Sequence, residues 1–156
     1  MPADKTNAMR LLEARGIPYQ VYTFDPGIHS AQGVAEALGL PAHIVYKTLV
    51  VMPPQGRPLL VIVPGDRELD LDRLARSLGM KRLRMATRKE AEQTTGLQVG
   101  GISALALVDR RLRVYLDRRA LELPEVLVSA GRRGVNLRLP VADLIAVTGA
   151  QVVEAT

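Results

Sequence analysis

The sequence predicts an α+β domain built on a mixed β-sheet, and two observations lead to this prediction. Helical and β-rich segments follow one another along the chain, but they do not repeat as strict strand–helix units. Several β-rich segments are joined by turns short enough for antiparallel hairpins. A chain of 156 residues, 47% hydrophobic and 24% charged, suffices for one domain over residues 1–156.

The first half of the chain predicts three helices and three strands. The first helix stops at Gly16, the second is capped by Ser30 and ends at Gly39, and the third runs from Asp70 to Gly79. A turn rich in proline and glycine predicts a hairpin between the second and third strands. The expected elements are a helix at 5–15, a strand at 17–24, a helix at 31–38, strands at 45–52 and 59–63, and a helix at 71–78.

The second half predicts two helices and several short strands. Thr87 and Glu90 match a capping box, which predicts a helix at 88–94, and Pro140 and Gly149 bracket the last helix. A tight turn at 109–111 predicts a second hairpin. Curling of the sheet toward a barrel would hide its edge strands. The expected strands lie near 82–85, at 105–108 and 112–116, and at 126–129 and 135–139.

The composition excludes several classes of site. There is no cysteine, which excludes disulfides, thiolate–metal sites and a cysteine nucleophile. His29 and His43 have no acidic cluster of metal-ligand spacing near them, so we expect no metal and no cofactor. The apolar runs are far shorter than the ~20 residues of a membrane span, and the N-terminus lacks a signal-peptide pattern. We therefore expect a cytoplasmic protein without membrane contact.

Basic residues concentrate in one part of the chain. Residues 73–138 carry fifteen basic and six acidic side chains, whereas residues 1–65 carry five and four. Such a surface attracts polyanions by Coulomb steering and counterion release, although a solvated face is the alternative interpretation. With aromatics at 3%, base stacking is not available, so a nucleic acid would be held mainly by its phosphates.

Three segments could carry chemistry. Strand alternation places Lys47 on the face of Leu49 and Val51, where an ammonium needs an acidic partner, an anionic ligand or a path to water. The glycines at 100 and 101 let backbone amides approach a ligand, so the amides of 100–103 could hold an ester carbonyl or a phosphate oxygen. The segment 129–134 could bring guanidinium groups beside a phosphate. A strand end, a tight loop and a surface hairpin are the structural alternatives.

Taken together, the three segments resemble the YbaK family of aminoacyl-tRNA editing deacylases, also called the prolyl-tRNA synthetase-associated domain. The family strand Lys-Thr-Leu matches residues 47–49, and its loop Gly-x-x-x-Gly-Gly-Ile-Ser matches 96–103. Its segment Ser-x-Gly-x-Arg-Gly matches 129–134. The resemblance covers nearly the whole chain in the same order, and it implies a barrel-like mixed sheet surrounded by helices.

The resemblance implies a trans-editing hydrolase that removes a wrong amino acid from tRNA, with cysteine or another small residue on tRNA(Pro) as the expected substrate. Prolyl-tRNA synthetase is an expected partner. Lys47 would contact the terminal phosphate or adenosine and orient the ester. Backbone groups of Gly100, Gly101 and Ile102 would contact the terminal nucleotide or the carbonyl, and Ser103 would hydrogen-bond nearby. The other implied substrate-binding residues are Phe24, His29, Ser129, Gly131, Arg133 and Asn136.

Two positions depart from the pattern of the cysteine-specific members. Phe24 stands where they carry Tyr, and Asn136 stands where they carry Asp, so a hydroxyl and a carboxylate are lost. These departures leave the removed amino acid open. They also motivate the alternative of a non-catalytic tRNA- or nucleotide-binding module with the same fold.

Overall fold

The computed structural model describes residues 4–156 and shows a mixed α+β fold. Five α-helices connect and cover eight strands. The helices are α1 (Asn7–Ala14), α2 (Ala31–Leu38), α3 (Leu71–Leu78), α4 (Arg88–Thr95) and α5 (Val141–Thr148). The strands are β1 (Gln20–Thr23), β2 (Tyr46–Met52), β3 (Leu59–Pro64), β4 (Arg84–Met85), β5 (Arg113–Asp117), β6 (Glu125–Arg132), β7 (Val135–Pro140) and β8 (Gln151–Val153).

The helix boundaries follow the capping residues, as predicted. The Ser30 hydroxyl accepts the Gly33 amide hydrogen bond at 3.0 Å. At the start of α4, Thr87 and Glu90 form both hydrogen bonds of the capping box. Each α-helix has eight residues. Over residues 4–156 no helix has the length and apolar character needed to cross a membrane.

The strands form two separate sheets. In the smaller sheet, of order β1-β7-β6, all neighbours are antiparallel. The larger sheet has the order β4-β2-β3-β5-β8 and is mixed, because β2 pairs antiparallel with β3 and β4 while β5 pairs parallel with β3 and β8. One isolated bridge, Val45 to Leu127, connects the two sheets. The expectation of a mixed sheet is confirmed, but the described residues form no closed barrel, so the barrel-like description is not confirmed.

The predicted hairpins have different outcomes. The hairpin of β2 and β3 is confirmed, as is the antiparallel pair of β6 and β7. The hairpin expected around residues 109–111 is wrong, because Leu105–Arg110 forms a 3₁₀-helix and β5 pairs parallel with β3. Leu105 and Leu107 are buried in the core, so packing rather than turn chemistry decides the conformation of that segment. The sequence also gave no signal for β8, a three-residue strand paired along one side only.

The two faces of the larger sheet bury different cores. Tyr46, Val50 and Ile62 belong to the main core, which includes residues of the smaller sheet and of α5. Val51 and Val61 belong to a second core, which includes residues of α3. Strand alternation thus separates the apolar neighbours of Lys47 from those of Thr48, as predicted.

Asp117 connects the end of β5 to the last residues of the described chain. The carboxylate is buried, and it accepts hydrogen bonds from the Ala155 amide at 2.9 Å and the Thr156 hydroxyl at 3.0 Å. Asp117→Ala leaves these donors without an acceptor, so we expect the free energy of unfolding to fall by about 2–3 kcal/mol. Urea unfolding measures the loss. The exposed Asp109→Ala is the control, and an equal effect of both variants would contradict this role of Asp117.

Candidate active site

A cavity of about 400 Å³ opens where the two sheets meet. One wall is the outer edge of β2, which pairs with β4 at Val51 and Met52 and, apart from a hydrogen bond from the Ala86 amide to the Val50 carbonyl, has no strand partner before them among the described residues. The other walls are the first turn of α2, the segment that leads into α4, and the loop after α4. Ser129 of β6 and Asn136 of β7 contribute from the smaller sheet.

The structure brings most of the predicted site residues to this cavity. Lys47 and Gly100, which are far apart in sequence, line the same space. The ring of His29 lies against Gly100, since a Cβ placed on Gly100 would be 3.4 Å from its Cδ2. The predicted residues that line the cavity are Phe24, His29, Lys47, Gly100, Ile102, Ser129 and Asn136.

Gly101 and Gly131 lie outside the cavity lining and pack against backbone or small side chains. A Cβ on Gly101 would be 2.9 Å from the Arg133 backbone nitrogen and 3.0 Å from the Arg132 carbonyl carbon. A Cβ on Gly131, which has a φ of +95°, would be 3.0 Å from the Ala106 methyl. These glycines therefore join the glycine loop, residues 96–103, and the following helix to the turn between β6 and β7.

Ser103 also lies outside the cavity lining. Its side chain is buried, with 1% of the residue exposed. The hydroxyl accepts a hydrogen bond from the Ala106 amide at 3.3 Å, at the start of the 3₁₀-helix Leu105–Arg110. This contact gives Ser103 a structural role in the loop that follows the glycines.

Arg133 contacts the glycine loop rather than the cavity. Its Nε donates a hydrogen bond to the Val99 carbonyl at 2.8 Å, and its Nη2 is buried without a partner in the described part of the chain. On the other side, Glu92 of α4 accepts the Val99 amide at 2.8 Å. That hydrogen bond, more than the nearby Arg88 and Arg133 charges, lowers the pKa of Glu92.

The charged groups that line the cavity are cationic. Lys47 is half-buried, and no carboxylate in residues 4–156 lies within salt-bridge distance of it. Arg88, at the start of α4, lies on the rim with 67% of its side chain exposed. Within residues 4–156, no Asp or Glu lines the cavity. The cavity is therefore suited to an anionic ligand whose remaining part is uncharged or apolar.

Two titratable residues of the cavity lining, Tyr46 and Arg88, were not predicted as site residues from the sequence. Tyr46 is buried beside Lys47, its hydroxyl has no partner among the described residues, and burial raises the pKa of that hydroxyl. Its apolar surroundings on β2 made it look like an ordinary core residue. In the sequence, Arg88 is one of several clustered basic residues. The fold shows that Arg88 reaches the cavity.

Similar proteins share the fold described above, and one family model matches most of the chain. Residues 25–147 match the family described as the aminoacyl-tRNA editing domain. A proposed Cys-tRNA(Pro)/Cys-tRNA(Cys) deacylase, EbsC of Enterococcus faecalis, is 36% identical over 98% of this chain and 94% of its own length. The solved structure of a proposed trans-editing enzyme for prolyl-tRNA synthetase superimposes with a TM-score of 0.83, at 31% identity over 99% of both chains. The proline–tRNA ligase of Nitratidesulfovibrio vulgaris is 34% identical over 72% of this chain but only 19% of the ligase.

The close packing of Gly101 can be tested without knowledge of a ligand. In Gly101→Ala the new methyl meets backbone atoms, so the loop must move, and we expect the free energy of unfolding to fall by about 1–3 kcal/mol. The amide resonances of Gly100 and Ile102 should shift in the NMR spectrum. Gly27→Ala is the matched control, because its new methyl would meet only the Asp25 side chain. Unchanged resonances in Gly101→Ala would contradict the packing described here.

Proposed function

Because the chain belongs to the aminoacyl-tRNA editing domain family, we propose that it is a trans-editing deacylase. It hydrolyses the ester between a wrong amino acid and the terminal ribose of a tRNA. The single observation that carries the proposal is the convergence of Lys47 and the glycine loop on one cavity. The similarity to EbsC and to a proposed trans-editing enzyme supports the same function.

The chemistry of the cavity supports stabilisation of charge rather than covalent catalysis. Within the described residues His29 makes no hydrogen bond to a hydroxyl of the cavity lining, and the Ser30 and Ser129 hydroxyls accept backbone amides, so the cavity holds no nucleophile already paired with a base. The Lys47 ammonium pairs with the terminal phosphate or contacts the adenosine, and it orients the ester. Amides of the glycine loop polarise the ester carbonyl as negative charge develops on its oxygen. Positioning of a water molecule and this polarisation together give the rate.

The walls of the cavity favour a small amino acid. Val34, Val45 and Val50 are buried residues of the lining, and they leave an apolar recess beside the open edge of β2. In the proposed function, cysteine or another small residue attached to tRNA(Pro) occupies this recess. The site then acts as the second sieve of a double-sieve mechanism, which hydrolyses errors that the synthetase pocket cannot reject. Prolyl-tRNA synthetase and its tRNA are the proposed partners, and the cytoplasm is the proposed location.

The exposed cations of α4 extend the cavity toward the tRNA backbone. Arg88 lines the cavity, and Lys89 follows it on the surface with no carboxylate within salt-bridge distance in residues 4–156. The two acidic residues of α4 are already engaged, Glu90 with Arg84 and Glu92 with the Val99 amide. The surface beside the cavity therefore presents positive charge to the phosphates of the acceptor stem.

Removal of the Lys47 ammonium tests the catalytic role directly. We expect Lys47→Ala to lower kcat/KM for deacylation by about 100-fold, because the ester loses both its anchor and a charge that stabilises the transition state. The measurement is release of labelled amino acid from a panel of mischarged tRNAs that includes Cys-tRNA(Pro) and Ala-tRNA(Pro). Lys5→Ala, which removes an exposed lysine paired with Glu13, is the control.

The same panel distinguishes an enzyme from a binding module. Release of amino acid by the wild type, and loss of this activity in Lys47→Ala, would support the deacylase function. Tight, salt-dependent tRNA binding by a wild type that releases no amino acid at all would contradict it. That result would favour the alternative of a non-catalytic tRNA-binding module, which the departures at Phe24 and Asn136 suggest.

If the acceptor stem lies along α4, loss of Lys89 should change the salt dependence of kcat/KM, whereas loss of Arg76 should not. Loss of one phosphate contact in Lys89→Ala should reduce the slope of log(kcat/KM) against log[salt] by about 1. Arg76→Ala is the control, since Arg76 is an exposed cation on α3, which packs with the second core. Equal slopes for Lys89→Ala and the wild type would place the stem elsewhere.

A further inference from the structure

The residue before Gly100 is held through both of its backbone polar groups by side chains of opposite charge. Glu92 accepts the Val99 N–H at 2.8 Å, and Arg133 donates to the Val99 carbonyl at 2.8 Å. Glu92 belongs to α4, whereas Arg133 lies in the turn between β6 and β7. The loop is therefore fixed between two elements that are distant in the sequence.

The Val99 carbonyl and the Gly100 N–H belong to one peptide unit. No peptide bond of the described residues is cis, so this N–H points away from the carbonyl and from the guanidinium that binds it. A hydrogen bond from a cation to the carbonyl polarises the peptide and strengthens the N–H as a donor. Gly100 lines the cavity, and its N–H has no hydrogen-bond partner within residues 4–156.

The partial burial of the Arg133 guanidinium argues against a direct role in phosphate binding. Its Nη2 is enclosed by protein, and the side chain is not part of the cavity lining. The positive charge of Arg133 therefore acts on the glycine loop. Glu92 is only 33% exposed, and the oxygen that accepts the Val99 N–H at 2.8 Å also lies 3.5 Å from Arg88 Nε.

We propose that Glu92 and Arg133 are positioning residues that orient and polarise the Gly100 amide as the donor to the scissile carbonyl oxygen. This inference rests on the proposed deacylase function. In the reaction, the oxygen of water bonds to the carbonyl carbon, and the carbonyl electron pair moves to its oxygen, where the Gly100 N–H stabilises it. Collapse of this intermediate breaks the bond to the ribose oxygen, which leaves with a proton from the water.

Kinetics can separate a positioning role of Glu92 and Arg133 from an effect of charge, because their replacement by alanine changes the net charge of the protein in opposite directions. We expect both Glu92→Ala and Arg133→Ala to lower kcat about 10- to 100-fold, since the amide loses its orientation. Glu92→Gln keeps an oxygen that can accept the Val99 N–H, and it should recover kcat to within about 5-fold of wild type. The effects of Glu92→Ala and Arg133→Ala should be less than additive in the double variant.

Arg132→Ala is the matched control. It removes the same charge from the same turn, but its side chain bonds the Asp4 carbonyl and not the loop. If Arg133 acted on tRNA through charge, both arginine variants would raise KM alike, and Glu92→Ala would lower KM without loss of kcat. That pattern would overturn the inference while leaving the deacylase function intact.

A measurement without substrate separates the inference from the proposed function. In NMR spectra of the labelled protein, we expect the Gly100 amide proton to move upfield in Arg133→Ala and to stay unchanged in Arg132→Ala. Hydrogen exchange of the Val99 amide should accelerate in Glu92→Ala but not in Glu92→Gln. Unchanged Gly100 and Val99 signals would refute the clamp even if the wild type is an active deacylase. A wild type without turnover would instead refute the function.

Discussion

The close contact of backbone with backbone at Gly101 is the constraint on which the site depends. The glycine loop approaches the turn between β6 and β7 so closely that any Cβ on Gly101 would meet the Arg132–Arg133 peptide. This contact fixes the loop to the smaller sheet, while β2 belongs to the larger sheet. The distance between Lys47 and the loop amides is therefore set by how the two sheets pack, and neither segment determines it alone.

The incomplete closure of the sheets creates the cavity. Within residues 4–156 the backbones of the two sheets are bridged at Val45 and Leu127 alone, and the outer edge of β2 has no strand partner between this bridge and Val51. An added strand in a closed barrel would pair with this edge and fill the space beside Lys47. Unpaired edges usually favour aggregation, but here the first turn of α2 and the glycine loop face this edge across the cavity.

The distribution of acids explains why the surface beside the cavity remains cationic. Glu90 binds Arg84 and the Thr87 amide, and these contacts lower its pKa to about 2. Glu92 is bonded to the loop, and Asp117 is buried at the end of β5. Glu92 also lies 3.5 Å from Arg88, whereas the exposed Lys89 has no carboxylate within salt-bridge distance in residues 4–156 and is available to a polyanion.

Features that depend on local chemistry could be predicted from the sequence alone. Capping by Ser30 and Thr87 sets helix boundaries through hydrogen bonds within four residues, and the turn between β2 and β3 forces adjacent strands to pair. The sequence could not predict that Leu105–Arg110 becomes a 3₁₀-helix, that the sheets do not close, or that Arg133 faces the loop. These outcomes depend on packing between segments far apart in the chain, where burial of leucines and backbone contacts outweighs local preference.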